Sequence, residues 1–490
     1  MNFLSVDIGT TCCKCQLFDE NGEILYYGVR EYGLRREGED AYVDVDGIRR
    51  TLAALIREST AFGTAASLAI SCLGESFVLL DGEDNILFYP MLYTDPRGLS
   101  QAEALLTRFG GERLYRTTGV LPQPMYSIAK LLYIKENYPA LYGKADKLLL
   151  VGEYFGYLLT GKRVIDYGLA ARTGIFNVRE KCFATDLLAE LGVDSALFST
   201  PARTGSIVSR VTPSAAAEFG LSPDCVLVLG SHDQICATLG AGVLRAGEAA
   251  DGMGTVECMT ALFDTPVDDL SFGEMGYPIV PYAVDGLYCT YFLSYSCGSL
   301  VNWFRRDILH GYAGGEESFF TYMEKKLPAR PSEILTLPYF GGAANPYQDP
   351  LAKGAMLGLT LQSTDAEIYR SILEATAYEM RLNMEMGEQF GVSVKRAVAT
   401  GGGANSRAWL QIKSDITGIP LRTLRSSEGG LCGGAMLQAV AMGAARDLDE
   451  AKTRFVRYAE ETAPRADDRA TYDKQYDKYK KLYKTVKELY

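Results

Sequence analysis

The sequence predicts an α/β protein made of two related domains that face each other. The first observation is a short apolar strand that ends in Asp7 and runs into a tight Ile-Gly-Thr-Thr turn. The second is a similar pattern near the middle of the chain, where 248–251 leads to Gly-Met-Gly-Thr at 252–255. Two such turns indicate a duplicated unit, although the halves differ in detail. A chain of 490 residues is long enough for two large domains.

The first half opens with an antiparallel meander. Apolar residues at 3–6 predict one strand, and alternating residues at 13–17 predict a second. A hairpin turn at 19–22 leads into a third strand at 24–29. Apolar spacing near 3.6 predicts helices at 46–62 and 127–137, and a buried strand follows at 226–230.

The second half repeats the alternation of strands and helices. An apolar strand is predicted at 258–263, a long helix at 365–390 and a strand at 398–400. Helices at 407–417 and 428–445 follow, and the terminal 472–490 predicts an amphipathic helix packed on its own domain. We expect an N-terminal domain at 1–244, a C-terminal domain at 245–450 and a helical extension at 451–490.

Composition excludes several classes of function. The net charge of −12 argues against a nucleic-acid partner, because phosphate backbones select basic faces. The only histidines are His232 and His310, so proton transfer must depend on carboxylates. The first residues do not resemble a signal peptide, and no apolar run reaches 18 residues. With 11 cysteines, an odd number, we expect reduced thiols, a cytoplasmic protein and no membrane partner.

Two other motifs favour structural roles over chemical ones. Cys12 and Cys15 form a C-x-x-C, but they lie in a predicted strand without a second pair, which favours buried strand residues over redox or metal chemistry. Residues 156–162 have P-loop spacing, yet Arg163 stands where Ser or Thr would bind Mg²⁺. Because the segment follows a predicted helix at 153–159, Gly161 is better interpreted as a helix C-cap.

The first Gly-Thr turn is a candidate phosphate site. Gly9 lets backbone N–H groups approach an anion, and Thr10 and Thr11 add hydroxyl donors. Asp7 could hold a hydrated Mg²⁺ beside them, and Lys14 could reach a transferring phosphoryl group. Hairpins also use Gly and Thr without binding phosphate, so one turn alone is weak evidence.

A second set of glycines lies in the other half of the chain. Gly254 and Thr255 supply a second turn that could clamp phosphates from the other side. Gly402 and Gly403, with Asn405, follow a strand and precede a helix, which fits a ribose or base site or a plain strand–helix turn.

Carboxylates at strand ends are the candidates for acid–base chemistry. Asp233 follows an apolar strand and precedes a helix, so it is either a general base in a cleft or an N-cap. His232 beside it is a donor to the site or a structural residue. Glu75 and Asp95 border apolar runs at 77–80 and 90–94, and they either bind a polyol or form ion pairs.

Together these residues resemble the FGGY family of carbohydrate kinases over about residues 3–445. That family shares the ATPase fold of actin, hexokinase and the heat-shock chaperones. The resemblance therefore implies two actin-like, ribonuclease-H-like ATPase domains facing each other across a nucleotide cleft. The matching motifs are DIGTT at 7–11, YTDPRG at 93–98, MYSIAKLLYI at 125–134, GSHDQ at 230–234, GMGTVE at 252–257, CGSLVNWFRRD at 297–307, YFGGAANPYQDP at 339–350 and TGGGANSRAWLQIKSDITGIPL at 400–421.

The resemblance implies a role for each matching residue. Asp233 corresponds to the catalytic base, and Asp7 to the Mg²⁺-associated carboxylate. The implied ATP contacts are Asp7, Gly9, Thr10, Thr11, Lys14, Gly254, Thr255, Gly298, Asn302, Gly402, Gly403 and Asn405. The implied sugar contacts are Glu75, Asp95, Arg97, Tyr126, Asp233 and Gln234.

Departures from the family concern the sugar. Glycerol kinases carry Arg-Glu where this chain has Gly74 and Glu75, and Tyr where it has Met125. Xylulokinases typically have Gln-Met-His-Gly at 73–76. The resemblance implies ATP- and Mg²⁺-dependent phosphorylation of a ketose, with ATP largely on the second domain and the sugar on the first. The alternatives are a glycerol or other small-polyol kinase, an actin-like or chaperone-like ATPase switch, and a catalytically silent binding protein. The sequence leaves open whether the chain forms a homodimer.

Overall fold

The structure is a computed structural model that describes residues 1–309, 312, 314, 318–425 and 428–490. His310 lies outside the described residues. The chain forms two compact units. The first comprises Met1–Leu244, Pro278–Tyr288 and Glu428–Val456, and the second comprises 245–277, 289–425 and 457–490.

The strands follow one another along both units. Their bounds are β1 Asn2–Ile8, β2 Cys12–Asp19, β3 Ile24–Glu31, β4 Leu34–Glu37, β5 Asp40–Val43, β6 Ser67–Cys72, β7 Phe77–Leu80, β8 Ile86–Phe88, β9 Lys147–Leu150, β10 Val164–Asp166, β11 Phe176–Asn177, β12 Cys182–Phe183, β13 Thr200–Ala202, β14 Ile207–Arg210, β15 Val226–Val228, β16 Glu248–Met253, β17 Glu257–Phe263, β18 Val280–Pro281, β19 Tyr288–Ser294, β20 Leu335–Leu337, β21 Ala355–Leu357, β22 Arg396–Thr400, β23 Leu421–Leu424 and β24 Tyr458–Thr462.

The helices alternate with these strands. Their bounds are α1 Val45–Ser59, α2 Leu99–Phe109, α3 Gly111–Thr118, α4 Ser127–Asn137, α5 Pro139–Tyr142, α6 Val151–Thr160, α7 Tyr167–Ala171, α8 Thr185–Glu190, α9 Pro213–Phe219, α10 Asp233–Gly240, α11 Leu270–Glu274, α12 Gly298–Trp303, α13 Phe319–Glu324, α14 Asp365–Glu388, α15 Arg407–Thr417, α16 Gly429–Ala441, α17 Leu448–Phe455 and α18 Arg469–Lys487. Short 3₁₀ segments span Thr60–Phe62, Ser195–Leu197 and Gly402–Asn405, and Phe304–Ile308 is π-helical.

The main sheet of the first unit has the strand order β14-β15-β6-β1-β2-β3. β1, β2 and β3 form an antiparallel meander, whereas β6 runs parallel to β1 and β15 parallel to β6. The carboxyl ends of β1, β6 and β15 therefore meet at one edge, where ligands bind in open α/β sheets. The segments that follow these three strands carry Gly9, Glu75 and Asp233.

Six strands of the seven-stranded main sheet of the second unit repeat this topology, in the order β19-β17-β16-β22-β23-β24. β16 and β17 form an antiparallel hairpin, and β22 and β23 run parallel to β16 in turn. The outer strand β24 is antiparallel to β23, as β14 is to β15. The predicted duplication is thus present, and the carboxyl edge of this sheet carries the turn at 252–256 and the glycines at 401–403.

Most predicted elements are confirmed within a few residues, and the helices at 127–137 and 407–417 have the predicted bounds. The run at 90–94 is not a strand: its only pairing among described residues is an isolated bridge from Met91 to Tyr42. That expectation was wrong because Pro90 and the TDP sequence at 94–96 disfavour a ladder.

The helix predicted at 428–445 is shorter, and it packs in the first unit. Gln438 of α16 donates to the Leu4 carbonyl at 3.1 Å and accepts from Ser67 Oγ at 2.8 Å. Gly433 and Gly434 allow this close packing, since a Cβ at Gly433 would lie 2.1 Å from the Cys236 carbonyl. The compact units are therefore discontinuous in sequence, unlike the contiguous domains at 1–244, 245–450 and 451–490 that we predicted.

The terminal helix α18 packs on its own unit, as predicted. Tyr472, Tyr476 and Tyr479 are buried, and the hydroxyl of Tyr479 donates to the buried carboxylate of Glu379 on α14. No helix among the described residues is long and apolar enough to cross a membrane.

Candidate active site

Asp7 lies at the centre of the carboxyl edge of the first sheet. In register, it pairs with Lys14 on β2 and with Ser71 on β6. Ser71 Oγ donates to Asp7 Oδ1 at 2.7 Å. Burial, followed by the negative charge of Asp233, raises the pKa of Asp7 to about 6. Asp233 is thus close enough to influence the ionisation of Asp7.

The turn after β1 presents unpaired hydroxyl groups. Gly9 N–H donates to the Cys12 carbonyl at 3.0 Å, and Tyr32 OH donates to the Gly9 carbonyl. A Cβ at Gly9 would lie 3.2 Å from the Cys12 carbonyl, so the turn is tight. Within the described part of the chain, neither Thr10 nor Thr11 has a side-chain hydrogen bond. Two hydroxyl donors are therefore available in the turn that follows β1.

Lys14 does not extend freely from this turn. Its Nζ lies 2.8 Å from Glu428 Oε2, and Tyr27 OH donates to the other oxygen of Glu428 at 3.2 Å. Burial lowers the pKa of Lys14, but hydrogen bonding and the charge of Glu428 outweigh it and raise the pKa overall. Lys14 is therefore a fully charged cation held near Asp7.

Asp233 begins α10 at the end of the segment that follows β15. Its Oδ1 accepts from Gln234 N–H at 2.6 Å and lies 3.0 Å from His232 Nε2. The side chain keeps 38 % of its surface accessible, whereas that of His232 keeps 10 %. Burial raises the pKa of Asp233 to about 6 and lowers that of His232 to about 3. At neutral pH an ionised carboxylate therefore lies beside an uncharged imidazole, which suits a general base.

Glu75 and Arg172 form a buried ion pair next to Asp233. Arg172 Nε donates to Glu75 Oε1 at 2.7 Å, and each side chain is only 6 % exposed. Burial raises the pKa of Glu75, but the charge of Arg172 outweighs it and lowers the pKa overall. A Cβ at Gly74 would lie 3.4 Å from Arg172 Cγ. The arginine that is missing at position 74 thus has a counterpart from another segment.

Tyr126 belongs to the same cluster. Gln234 directly follows Asp233 in the sequence. The guanidinium carbon of Arg172 lies 5.3 Å from the centroid of the Tyr126 ring. Gly174 packs against that ring with φ of 73°, a backbone conformation that favours glycine. Gln234 is half-buried and its carbonyl accepts from Thr238 at 2.7 Å.

Asp95 and Arg97 pair with each other. Arg97 Nε donates to Asp95 Oδ1 at 2.9 Å, and Arg97 Nη1 donates to Asp40 at 2.9 Å and to Tyr42 at 3.0 Å. The buried Lys130 donates to the Asp95 carbonyl at 2.8 Å. Burial raises the pKa of Asp95, but Arg97 outweighs it and lowers the pKa overall. The ion-pair interpretation fits Asp95, whose charge is already neutralised.

In the second unit, two segments converge on the turn that follows β16. Gly298 N–H at the start of α12 donates to the Gly254 carbonyl at 2.9 Å, and a Cβ there would lie 2.6 Å from that oxygen. Ser299 N–H donates to the Thr255 carbonyl at 3.0 Å. A Cβ at Gly403 would lie 2.9 Å from Met253 Cβ. The segments of Gly254, Gly298 and Gly403 therefore lie in close contact, and we call this group of glycine segments the cradle.

The outer surface of this cradle is accessible. Gly254, Thr255, Gly402, Asn302 and Asn405 are all exposed. A Cβ at Gly402 would meet nothing within 4 Å, so backbone is open to a ligand there. Ser406 caps α15 by accepting from Trp409 N–H at 3.2 Å.

A buried cluster supports the turn from below. Lys413 of α15 contacts both Asp251 and Glu257, and all three side chains have no accessible surface. Asp251 lies on β16 and Glu257 begins β17, so Lys413 bridges the two strands that flank the Gly-Thr turn. Sequence reasoning missed this cluster because the two carboxylates and the lysine are far apart in the chain.

The structure agrees with a helix C-cap at Gly161 and with cysteines placed in a strand at 12–15. Gly161 ends α6 with φ of 68°, as a C-cap glycine does. All 11 cysteines are unpaired as disulfides, and Cys13 and Cys15 are buried in β2. The described residues contain no group of three or more His, Cys, Asp or Glu that could hold a metal ion.

Comparisons with known proteins agree in family and fold. Residues 2–240 match the N-terminal domain model of the FGGY family of carbohydrate kinases, and residues 253–442 match its C-terminal domain model. A xylulose kinase of Bacillus subtilis (strain 168) is 25 % identical over 494 residues, which cover 99 % of this chain and 97 % of the relative. A gluconokinase of the same strain is 25 % identical over 468 residues, which cover 91 % and 88 %.

The fold is that of a solved relative. The crystal structure of xylulose kinase from Rhodospirillum rubrum matches with a TM-score of 0.91 at 24 % identity, and the match covers 100 % of this chain and 99 % of that chain. The chain therefore has the two-domain, actin-like ATPase fold of these kinases, which confirms the predicted fold class.

Proposed function

Because the chain belongs to the FGGY family of carbohydrate kinases, a family of ATP-dependent sugar phosphotransferases, we propose that its acceptor is a neutral ketose. The acceptor class is a pentulose or a hexulose, as in the xylulose kinases to which the chain is similar. Asp233 serves as general base, and the sugar binds among Asp233, Glu75, Arg172 and Tyr126 in the first unit.

Asp233 carries this proposal. Its carboxylate is accessible and ionised at neutral pH, and a neutral imidazole 3.0 Å away holds it without neutralising it. The carboxylate accepts the proton of the sugar hydroxyl while that oxygen bonds to the γ-phosphorus of ATP. The bond between the γ-phosphorus and the β,γ-bridging oxygen breaks, and ADP leaves. Such base assistance contributes about 10²- to 10⁴-fold in rate.

The charge balance around Asp233 favours a neutral substrate over a sugar acid. The one arginine of the cluster, Arg172, is already paired with Glu75. Asp233 and Asp7 add negative charge nearby, so a substrate carboxylate would meet repulsion without a matched cation. These charges favour a ketose kinase over a gluconokinase, although the chain is similar to both.

The Arg172–Glu75 pair also keeps a small-polyol kinase as a second candidate. Glycerol kinases place Arg and Glu side by side for a polyol, and here Arg172 reaches Glu75 from another segment. Hydroxyl groups suit both charged partners as donor and acceptor.

Residues of the first turn fit Mg²⁺. Asp7 offers a hard carboxylate oxygen, and its only side-chain hydrogen bond among described residues comes from Ser71. A Cβ at Gly430 would lie 3.6 Å from Asp7 Oδ1, so glycine keeps the space beside the carboxylate open. Since Mg²⁺ usually keeps waters and few protein ligands, one or two carboxylates suffice. When bound, the ion neutralises charge on the ATP phosphates.

Hydroxyl groups, one cation and exposed backbone fit the nucleotide of this proposal. Thr10 and Thr11 supply hydroxyl donors, and Lys14 supplies a cation near the phosphoryl group that is transferred. The Gly254–Thr255 turn and Gly402 of the second unit expose backbone on which phosphates and adenosine can lie.

A panel of acceptors tests the proposal. Purified protein with ATP and Mg²⁺ is assayed for ADP release with pentuloses, hexuloses, glycerol, gluconate and no acceptor. We expect the highest kcat/KM with a ketose and little release without an acceptor. Preference for gluconate would refute the charge argument, and acceptor-independent release alone would favour an ATPase switch.

A further inference from the structure

One buried carboxylate joins the two halves of the proposed sugar site. Asp166 ends β10 and is 2 % exposed. Its Oδ1 accepts from Leu169 N–H at 3.1 Å, and its Oδ2 accepts from Gly168 N–H at 3.0 Å. These bonds cap α7, and Arg172 directly follows the last residue of this helix.

The same carboxylate holds the segment that carries the base. Ser231 Oγ donates to Asp166 Oδ2 at 2.6 Å, and Ser231 is two residues before Asp233. The Ser231 carbonyl accepts from Cys72 N–H at 3.2 Å, which ties this segment to the end of β6. Thr204 Oγ1 donates to the same Asp166 oxygen at 2.8 Å, but Thr204 belongs to a loop without site residues.

The packing around Asp166 leaves little freedom. A Cβ at Gly168 would lie 2.6 Å from Ser231 Oγ and 2.4 Å from Ile235 Cδ1. The first turn of α7 therefore lies directly against the start of α10. A change in the hydrogen bonds that join Asp166 to α7 or to Ser231 therefore moves these two segments relative to each other.

We propose that Asp166 is a positioning residue that holds Arg172 and Asp233 in one fixed geometry through its bonds to α7 and Ser231. The catalytic part of this inference rests on the proposed function, since it assumes that the sugar lies between these two side chains. A base misplaced by about 1 Å can cost about a hundredfold in rate.

Asp166 itself is a poor test residue because its loss removes four hydrogen bonds and could prevent folding. Ser231→Ala and Thr204→Val each remove one hydroxyl donor to the same oxygen. We expect Ser231→Ala to lower kcat with the preferred acceptor by about tenfold or more. We expect Thr204→Val to leave kcat within about twofold, and both to leave the KM for ATP unchanged with similar small decreases in Tm.

Two further readouts separate positioning from general stability. In an Asp233→Asn background, Ser231→Ala should have no further effect, because the base it positions is gone. In a His310→Gln background, His232 gives the only imidazole NMR signals of the 490-residue chain. Ser231→Ala should shift these signals, and Thr204→Val should not.

Several results would overturn the inference. These are equal kcat values for the two variants, an unchanged effect of Ser231→Ala without Asp233, or His232 signals that respond to both variants alike. If the wild type phosphorylates no acceptor, the proposed function fails, whereas the NMR comparison still decides whether Ser231 and Asp166 position the Asp233 segment.

Discussion

Replacing Asp233 with Asn removes the proposed base with little change in shape. The Asn side chain can still accept from Gln234 N–H, which now lies 2.6 Å from Oδ1, and the neighbouring imidazole is already neutral. The loss should therefore be that of base assistance alone. We expect kcat with the preferred ketose to fall by about 10²- to 10⁴-fold, or about 3–5 kcal/mol in activation free energy.

The assay follows ADP release with the ketose and, separately, ADP binding by calorimetry. The affinity for ADP and the Tm should stay near wild type, because the segments proposed to bind the nucleotide do not include Asp233. Asp224→Asn is a matched control, since the exposed Asp224 forms its one ion pair within the described part of the chain with the exposed Arg210, at 3.4 Å. If Asp233→Asn keeps kcat within about threefold of wild type, Asp233 is not the base.

Two more predictions concern the charges around Asp233. The pKa values of Asp7 and Asp233 are both raised to about 6, and both groups act ionised, so kcat/KM should fall as the pH drops through about 6; a flat profile between about pH 5 and 7 would contradict this. Glu75→Gln removes a charge that raises the pKa of Asp233, so this acidic limb should move to lower pH while the KM for sugar rises. A change in the KM for ATP alone would show that Glu75 is not at the sugar site.

Local sequence patterns predicted much of the fold. The Gly-Thr turns located the carboxyl edges of both sheets, because turns of this kind follow strands whose side chains are largely buried. Helices with a regular apolar period, such as 127–137, were found within a residue or two. The sheet order of each unit was not available from these patterns, since strand pairing between β6 and β15 depends on contacts far apart in sequence.

The site was predicted less completely. Asp7, Thr10, Thr11 and Asp233 could be proposed from the sequence because each lies at or shortly after the carboxyl end of a strand. Arg172 could not, because it follows a short helix and meets Glu75 97 residues away along the chain.

Glu428 shows the same limit of local patterns. It pairs with Lys14 across 414 positions of sequence. Spacing within a motif carries no information about such contacts. The packing of α16 against β1 and β6 is likewise a tertiary property that its own sequence does not indicate.

The proposed transfer to a neutral sugar is tested most directly by ³¹P NMR of one reaction. The mixture contains the wild-type protein, ATP, Mg²⁺ and the preferred ketose. We expect a sugar phosphomonoester signal to grow as the γ-phosphate signal of ATP disappears, with the two changes equal in amount. Growth of inorganic phosphate in place of the phosphomonoester would contradict it, because the phosphoryl group would then have passed to water.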